Sequence, residues 1–133
     1  MKKIEHLGIA VKDIDKANKR FAKIFGKEHY KIEKVETEGV ITSFFQIGSN
    51  KIELVAPTSE SSPIYKFLTN RKEGMHHVAF EVDDIYFEML RIKKEGIRLL
   101  NDKPKNGADN KLICFLHPSD TNGVLIELTQ TVR

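Results

Sequence analysis

The chain has 133 residues, of which 40% are hydrophobic and 31% are charged, which is typical of one globular domain with its own core. Its net charge of +3 comes from scattered basic residues, so the composition does not favour nucleic acid as a partner and suits a small anionic substrate equally well. The sequence contains no signal-peptide pattern at its start and no bilayer-spanning apolar run, so we expect a cytoplasmic protein with no membrane partner.

The first half of the chain predicts a strand, a helix and three further strands. Residues 4–11 alternate as a strand does, and Asp13 can cap a helix that Gly26 ends. Runs rich in β-branched and aromatic residues predict the three strands, over 29–37, 40–47 and 51–55.

The second half repeats this order after a linker and a short helix that has Pro63 in its first turn. Residues 76–82 predict a strand, and Asp83 or Asp84 caps a helix that ends at Gly96. Strands are predicted near 97–100, 111–116 and 123–129, and a polar, mobile loop is predicted over 103–110. Cys114, the one cysteine, stands in an apolar run and is expected to be a buried, inert thiol.

This order predicts an α+β fold in one domain, residues 1–133, built from two paired βαβββ modules. Module one covers about 1–56, the linker and helix about 57–74, and module two about 75–133. We expect the modules to form one curved eight-stranded sheet, with helices on its convex side and a metal-binding cleft on its concave side.

The two halves also share a sequence pattern. The run His-Leu-Gly-Ile-Ala-Val at 6–11 returns as His-Val-Ala-Phe-Glu-Val at 77–82, and Ile-Glu-Leu at 52–54 returns at 126–128. Each copy therefore supplies one histidine and one glutamate. Because side chains alternate along a strand, these four residues lie opposite the apolar faces that must pack on helices. They are His6, Glu53, His77 and Glu127.

Mixed imidazole and carboxylate donors are typical of a site for a divalent ion, with Co²⁺ expected first and Mn²⁺, Ni²⁺ or Zn²⁺ as alternatives. Four such ligands leave two octahedral positions for a bidentate substrate. The alternative is that the histidines are core residues and the glutamates are solvated. We expect His29, His76 and His117 not to be ligands, and we consider Lys105 a candidate for contact with a substrate phosphate.

Several stretches together resemble the vicinal oxygen chelate superfamily, which includes glyoxalase I, extradiol dioxygenases and bleomycin-resistance proteins. Within it the chain is similar to the methylmalonyl-CoA epimerase family over nearly its whole length. The stretches that carry this resemblance are residues 6–11, 52–57, 62–68, 74–82, 117–118 and 123–130.

The resemblance implies metal ligands at His6, His77 and Glu127, with Glu53 as the fourth. It implies epimerisation of (2R)- and (2S)-methylmalonyl-CoA by proton removal and return at the α carbon, through an enolate chelated to the metal, and it implies a homodimer. Exchange on both faces of a planar carbon needs two acid–base groups, for which Glu127 and Glu53 are the candidates. Some epimerases carry an extra carboxylate on the strand after a Glu-Gly-Val motif, where this chain has Thr42 and Ser43.

Two other functions remain open from the sequence. A glyoxalase I-type lactoylglutathione lyase would use the same four ligands on a glutathione hemithioacetal. A non-enzymatic, drug-sequestering module would share the fold, but such binders do not need the four ligands and line their clefts with aromatic residues, whereas this chain has no tryptophan.

Overall fold

The structure is a computed structural model that describes residues 1–132. The strands are β1 (Lys3–Ala10), β2 (Lys31–Val35), β3 (Val40–Ile47), β4 (Asn50–Pro57), β5 (Gly74–Glu81), β6 (Lys105–Asn106), β7 (Lys111–Phe115) and β8 (Ile126–Thr131). The α-helices are α1 (Ile14–Phe25), α2 (Pro63–Arg71) and α3 (Ile85–Lys94), and short 3₁₀ helices cover Glu36–Glu38 and Pro118–Asp120. The predicted α+β class and the number of strands, eight among residues 1–132, are confirmed, although one of the eight lies at another place in the chain than predicted.

The chain divides into two compact units, which we call the central unit (Leu7–His76) and the terminal unit (Met1–His6 together with His77 onward). Strand β1 is divided between the units, with its residues up to His6 in the terminal unit and those from Leu7 in the central unit. In the central unit the strand order is β2-β3-β4-β1, and β2, β3 and β4 are antiparallel. In the terminal unit the order is β1-β5-β8-β7-β6, in which β5 and β8 are parallel and β6, β7 and β8 are antiparallel.

The helix ends follow the capping rules that the sequence predicted. The Asp13 carboxylate accepts a hydrogen bond from the backbone N–H of Lys16, at 3.1 Å, and begins α1. Gly26 ends α1 in the left-handed conformation, with a φ of 70° that costs glycine little. The Asp84 side chain caps α3 in the same way, by accepting from the N–H of Phe87 at 3.1 Å.

Each unit buries one face of its strands against a helix. In the central unit Phe45 and Leu54, both 0% exposed, pack with residues of α1. In the terminal unit Leu128 and Cys114, also 0% exposed, pack with Ile85 and other residues of α3. The predicted burial of Cys114 is confirmed, and burial raises the pKa of its thiol to about 11, against the smaller opposite effect of the Lys105 charge. No helix among residues 1–132 combines the length and apolar character needed to cross a membrane.

The predicted strand near 97–100 is wrong, and part of the predicted loop over 103–110 is the two-residue strand β6. Leu99 forms only an isolated bridge with Leu116. Asn101 then interrupts the ladder of backbone hydrogen bonds. Its side-chain oxygen accepts a hydrogen bond from the N–H of Phe115, at 3.1 Å, and takes the place of a backbone carbonyl. Pairing with β7 resumes only after Pro104, which has no N–H to donate.

Candidate metal centre

The strand faces place three of the predicted ligands together in the terminal unit. On β8, Ile126 and Leu128 pack toward α3, so the side chain of Glu127 lies on the opposite face. Ala79 of β5 is the register partner of Glu127 and shares this face with His77, two residues before it. The prediction that the candidate ligands lie opposite the helix-packed face therefore holds for this unit.

Three donor atoms converge on one point. The Nε2 atoms of His6 and His77 lie 3.1 Å apart. Oε1 of Glu127 is 3.4 Å from Nε2 of His6 and 3.1 Å from Nε2 of His77. Among residues 1–132, these three side chains form the one group whose donor atoms lie close enough together to hold a single ion.

The spacing of the three atoms fits a divalent transition metal. Ligand atoms about 2.1 Å from such an ion lie about 3.0 Å apart at a right angle and about 3.4 Å apart at a tetrahedral angle. The observed separations of 3.1, 3.1 and 3.4 Å fall in this range. Two imidazoles and one carboxylate on one side of an ion leave the remaining coordination positions open for a substrate.

The donors are also almost removed from solvent, with His6, His77 and Glu127 exposed by 5%, 7% and 6%. Burial raises the pKa of the Glu127 carboxyl, but hydrogen bonds from His6 and His77 and their charges outweigh it and lower this pKa to about 2. Glu127 is therefore held as a carboxylate, the form that can bind a cation.

A fourth buried side chain, Glu5, was not predicted to belong to the site. Oε1 of Glu5 lies 2.8 Å from Nδ1 of His6, and both side chains are buried, at 4% and 6% exposure. The sequence contained one indication of this contact. Glu5 lies on the same face of β1 as Leu7 and Ile9, where a charged residue departs from the apolar pattern.

Phe115 is a second residue that the sequence did not indicate. It is the register partner of Glu127 across β7 and β8, and its ring stands edge-on to His77 with the centroids 6.1 Å apart. Nζ of Lys105 lies 5.9 Å from the centre of the Phe115 ring. The terminal unit therefore contains a lysine, an aromatic ring and the donor cluster in successive contact.

Glu53, the fourth predicted ligand, lies on β4 of the central unit. It is 7% exposed and opposes Leu54, which packs toward α1, so the predicted face is confirmed. Its register partner is Phe44. Its place as a ligand and as a base stays a prediction.

The other three histidines, expected not to be ligands, lie outside the described donor cluster. The ring of His29 contacts Phe45, and the ring of His76 contacts Phe67. Nδ1 of His117 accepts a hydrogen bond from the N–H of Ser119, at 3.2 Å, and so caps a 3₁₀ helix.

Comparison with known proteins gives the family. Residues 5–115 match the model of the Glyoxalase/Bleomycin resistance protein/Dioxygenase superfamily. The chain is 40% identical over 129 residues to the mitochondrial methylmalonyl-CoA epimerase of Mus musculus. The aligned region covers 96% of this chain and 72% of the mouse protein. It is 39% identical over 130 residues to an ethylmalonyl-CoA/methylmalonyl-CoA epimerase of Cereibacter sphaeroides, with coverage of 96% and 97%.

A solved structure supports the same relationship. A variant of the Streptomyces coelicolor methylmalonyl-CoA epimerase, in complex with 2-nitronate-propionyl-CoA, matches with a TM-score of 0.96 and 34% identity, over 100% of this chain and 99% of that one. The match extends over the whole described fold, including the strands that carry the donor cluster. The chain belongs to the methylmalonyl-CoA epimerase family of the glyoxalase/bleomycin resistance protein/dioxygenase superfamily.

Proposed function

We propose that this protein interconverts (2R)- and (2S)-methylmalonyl-CoA by removing and returning the proton on C2, with a divalent ion bound at His6, His77 and Glu127. The observation that carries the proposal is the convergence of two Nε2 atoms and one carboxylate oxygen within 3.4 Å of one another. Family membership selects the reaction, because curated relatives at 39–40% identity are named for it.

The substrate carries its exchangeable proton on a carbon between a thioester and a carboxylate. A divalent ion in the cluster would act as a Lewis acid for the negative charge that develops on the thioester oxygen. Binding of a nitronate, which is a planar anion, by a related epimerase agrees with an anionic, planar intermediate. The proposal therefore requires this chain to hold an anion and to move one proton on each face of the carbon.

Glu127 is the proposed base on one face. Its carboxylate is buried beside the two imidazoles, so bulk water would compete little for the C2 proton at this position. Its Oε1 atom lies 3.4 and 3.1 Å from Nε2 of His6 and His77, so an ion bound by the three side chains would fix the carboxylate.

Glu53 is the proposed base on the other face and the proposed fourth ligand. Thr42 and Ser43 occupy the part of β3 where some epimerases carry a carboxylate, and their hydroxyl groups already donate hydrogen bonds, to the Glu33 carbonyl and the Asn18 side chain. Neither hydroxyl can replace a carboxylate as a proton acceptor at neutral pH. Glu53 is buried and presents a carboxylate on the strand beside β3, which supports its assignment.

Lys105 is the proposed contact for a phosphate of the CoA group. Its Nζ lies over Phe115, and Phe115 contacts His77, so a substrate bound at the donor cluster would have an ammonium group nearby. We further propose Co²⁺ as the native ion, with Mn²⁺, Ni²⁺ and Zn²⁺ as alternatives, and a cytoplasmic homodimer.

A deuterium-exchange assay tests the function. Purified protein loaded with Co²⁺ is mixed with (2S)-methylmalonyl-CoA in D₂O, and mass spectrometry and chiral analysis follow deuterium at C2 and the (2R) product. We expect both to appear together, and a glutathione hemithioacetal to give no turnover. Metal-loaded, folded protein that incorporates no deuterium at C2 would contradict the proposal.

A further inference from the structure

We propose that Glu5 is a positioning residue that fixes the ring of His6 with its Nε2 lone pair directed at the donor cluster, and that metal affinity depends on it. This inference rests on the proposed metal site. It goes beyond that site because it assigns a role to a residue that does not contact the ion.

The geometry leaves little freedom for the His6 ring. Oε1 of Glu5 lies 2.8 Å from Nδ1 on one side of the ring, and on the other side Nε2 lies 3.1 Å from Nε2 of His77. The side chains of Glu5 and His6 are 4% and 6% exposed, so water competes weakly for this hydrogen bond. Both nitrogens of the ring are therefore engaged inside the protein.

This arrangement selects one tautomer of His6. A carboxylate accepts hydrogen bonds, so the hydrogen of the Glu5–His6 pair is on Nδ1. In the neutral form that a metal ligand requires, the ring then has its lone pair on Nε2, which is the atom that faces His77 and Glu127. A carboxylate behind the ring also increases the electron density on the ligating nitrogen, as in other carboxylate–histidine–metal arrangements.

The equivalent strand of the second module, β5, forms without a carboxylate at the position before its histidine. The residue before His77 is His76, whose ring packs on Phe67 with the centroids 4.8 Å apart. A strand of the same type thus forms with an imidazole where β1 has Glu5. Burying a carboxylate is costly unless it has a partner, and the hydrogen bond with His6 provides one for Glu5.

The test compares Glu5→Gln with wild-type protein by two measurements that do not involve turnover. Chelator competition gives the Kd for Co²⁺, and ¹⁵N–¹H spectra of histidine-labelled, metal-free protein give the tautomer of His6. We expect the Kd to rise by about 10–100-fold. We also expect the spectrum of the wild-type protein to show the hydrogen on Nδ1 and that of the variant to show mixed tautomers.

Glu81→Gln is the matched control, because Glu81 is a partly buried carboxylate on β5 of the same unit and pairs with Lys2 at 3.9 Å. It should leave both the Kd and the tautomer unchanged. An unchanged Kd in Glu5→Gln, with Nδ1 still protonated, would overturn the inference and reduce Glu5 to a structural role. If Glu5→Gln does not fold, Glu5→Asp replaces it, because this variant keeps the carboxylate but shortens the side chain and so removes the 2.8 Å contact. A Kd and a His6 tautomer identical to those of the wild type would then overturn the inference equally.

The two proposals fail in different ways. If wild-type protein binds no Co²⁺ or other divalent ion, the proposed metal site fails. The tautomer measurement in metal-free protein still decides whether Glu5 orients His6, since it needs no ion.

Discussion

Nε2 of His6 lies 3.1 Å from Nε2 of His77, although the two residues stand 71 positions apart in the chain. The duplicated modules bring equivalent histidines together through β1 and β5, which are neighbours in the sheet order of the terminal unit. Two imidazole nitrogens at this distance repel each other when both present lone pairs, and a shared cation turns that repulsion into attraction. In the proposed metal site, a bound ion would therefore hold the two histidines together.

Metal removal is therefore expected to lower stability as well as activity. An ion that binds only the folded state stabilises it by about 2.7 kcal/mol when its free concentration is about 100 times the Kd. Calorimetry of chelated and Co²⁺-loaded protein should show this shift in Tm, and His77→Ala should remove it. Equal Tm values with and without metal in the wild-type protein would argue against a structural contribution of the ion.

Glu127→Gln is expected to reduce deuterium incorporation at C2 by at least about 10²-fold, because the amide cannot accept the proton. The side chain keeps its size, and Glu81→Gln serves as the control for loss of one carboxylate in the same unit. Both variants should be loaded with metal and checked for bound ion before exchange is measured. Wild-type exchange in metal-loaded Glu127→Gln would remove this residue from the proton-transfer step.

Lys105→Ala is expected to raise the KM for methylmalonyl-CoA several-fold while leaving kcat close to that of the wild type. A lysine that binds a remote phosphate contributes equally to the ground state and the transition state, so its loss weakens binding only. Lys103→Ala is the control, because Lys103 is another exposed lysine of the same segment. A matching rise in KM for both variants would show a general charge effect instead of a specific contact.

Asp120 is expected to contribute stability that acid removes. Three hydrogen bonds from Arg98, at 2.8, 3.0 and 3.1 Å, lower the pKa of the Asp120 carboxyl to about 2. A lowered folded-state pKa stabilises the protein above the unfolded-state value of about 3.9, and the contribution disappears as the pH falls from about 4 toward 2. Urea unfolding should therefore separate wild-type protein from Asp120→Asn at pH 6 and bring the two together near pH 2.

Arg98→Ala tests the cause of that effect. It removes the two side-chain donors and keeps the backbone N–H, so it should reproduce most of the pH dependence of Asp120→Asn, and the double variant should lose less stability than the sum of the two single variants. Independent, additive losses would mean that the two side chains stabilise the protein through different contacts.

The sequence predicted the parts of the fold that depend on local pattern. Asp13 and Gly26 bound a helix as expected, and strand alternation placed His77 and Glu127 on the face opposite the α3 core. The unpredicted features depend on contacts between distant segments. Asn101 interrupts a strand by bonding to Phe115, and Phe115 lies beside Glu127 through the register of β7 and β8.

The contact of Glu5 with His6 does not follow from strand alternation. Alternation assigns Glu5 to the face of Leu7 and Ile9, yet its carboxylate reaches the Nδ1 atom of the adjacent His6. A long side chain can extend beyond the face on which its Cβ lies, so strand parity alone does not identify such a contact. The sequence shows a charged residue on an apolar strand face, and the fold determines which side chain it contacts.

Anomalous diffraction at the cobalt absorption edge, from crystals of Co²⁺-loaded protein, tests the central claim most directly. We predict one strong peak about 2.1 Å from each of Nε2 of His6, Nε2 of His77 and Oε1 of Glu127. Crystals of catalytically active protein with no peak at these atoms, or with the ion bound to other residues, would contradict it.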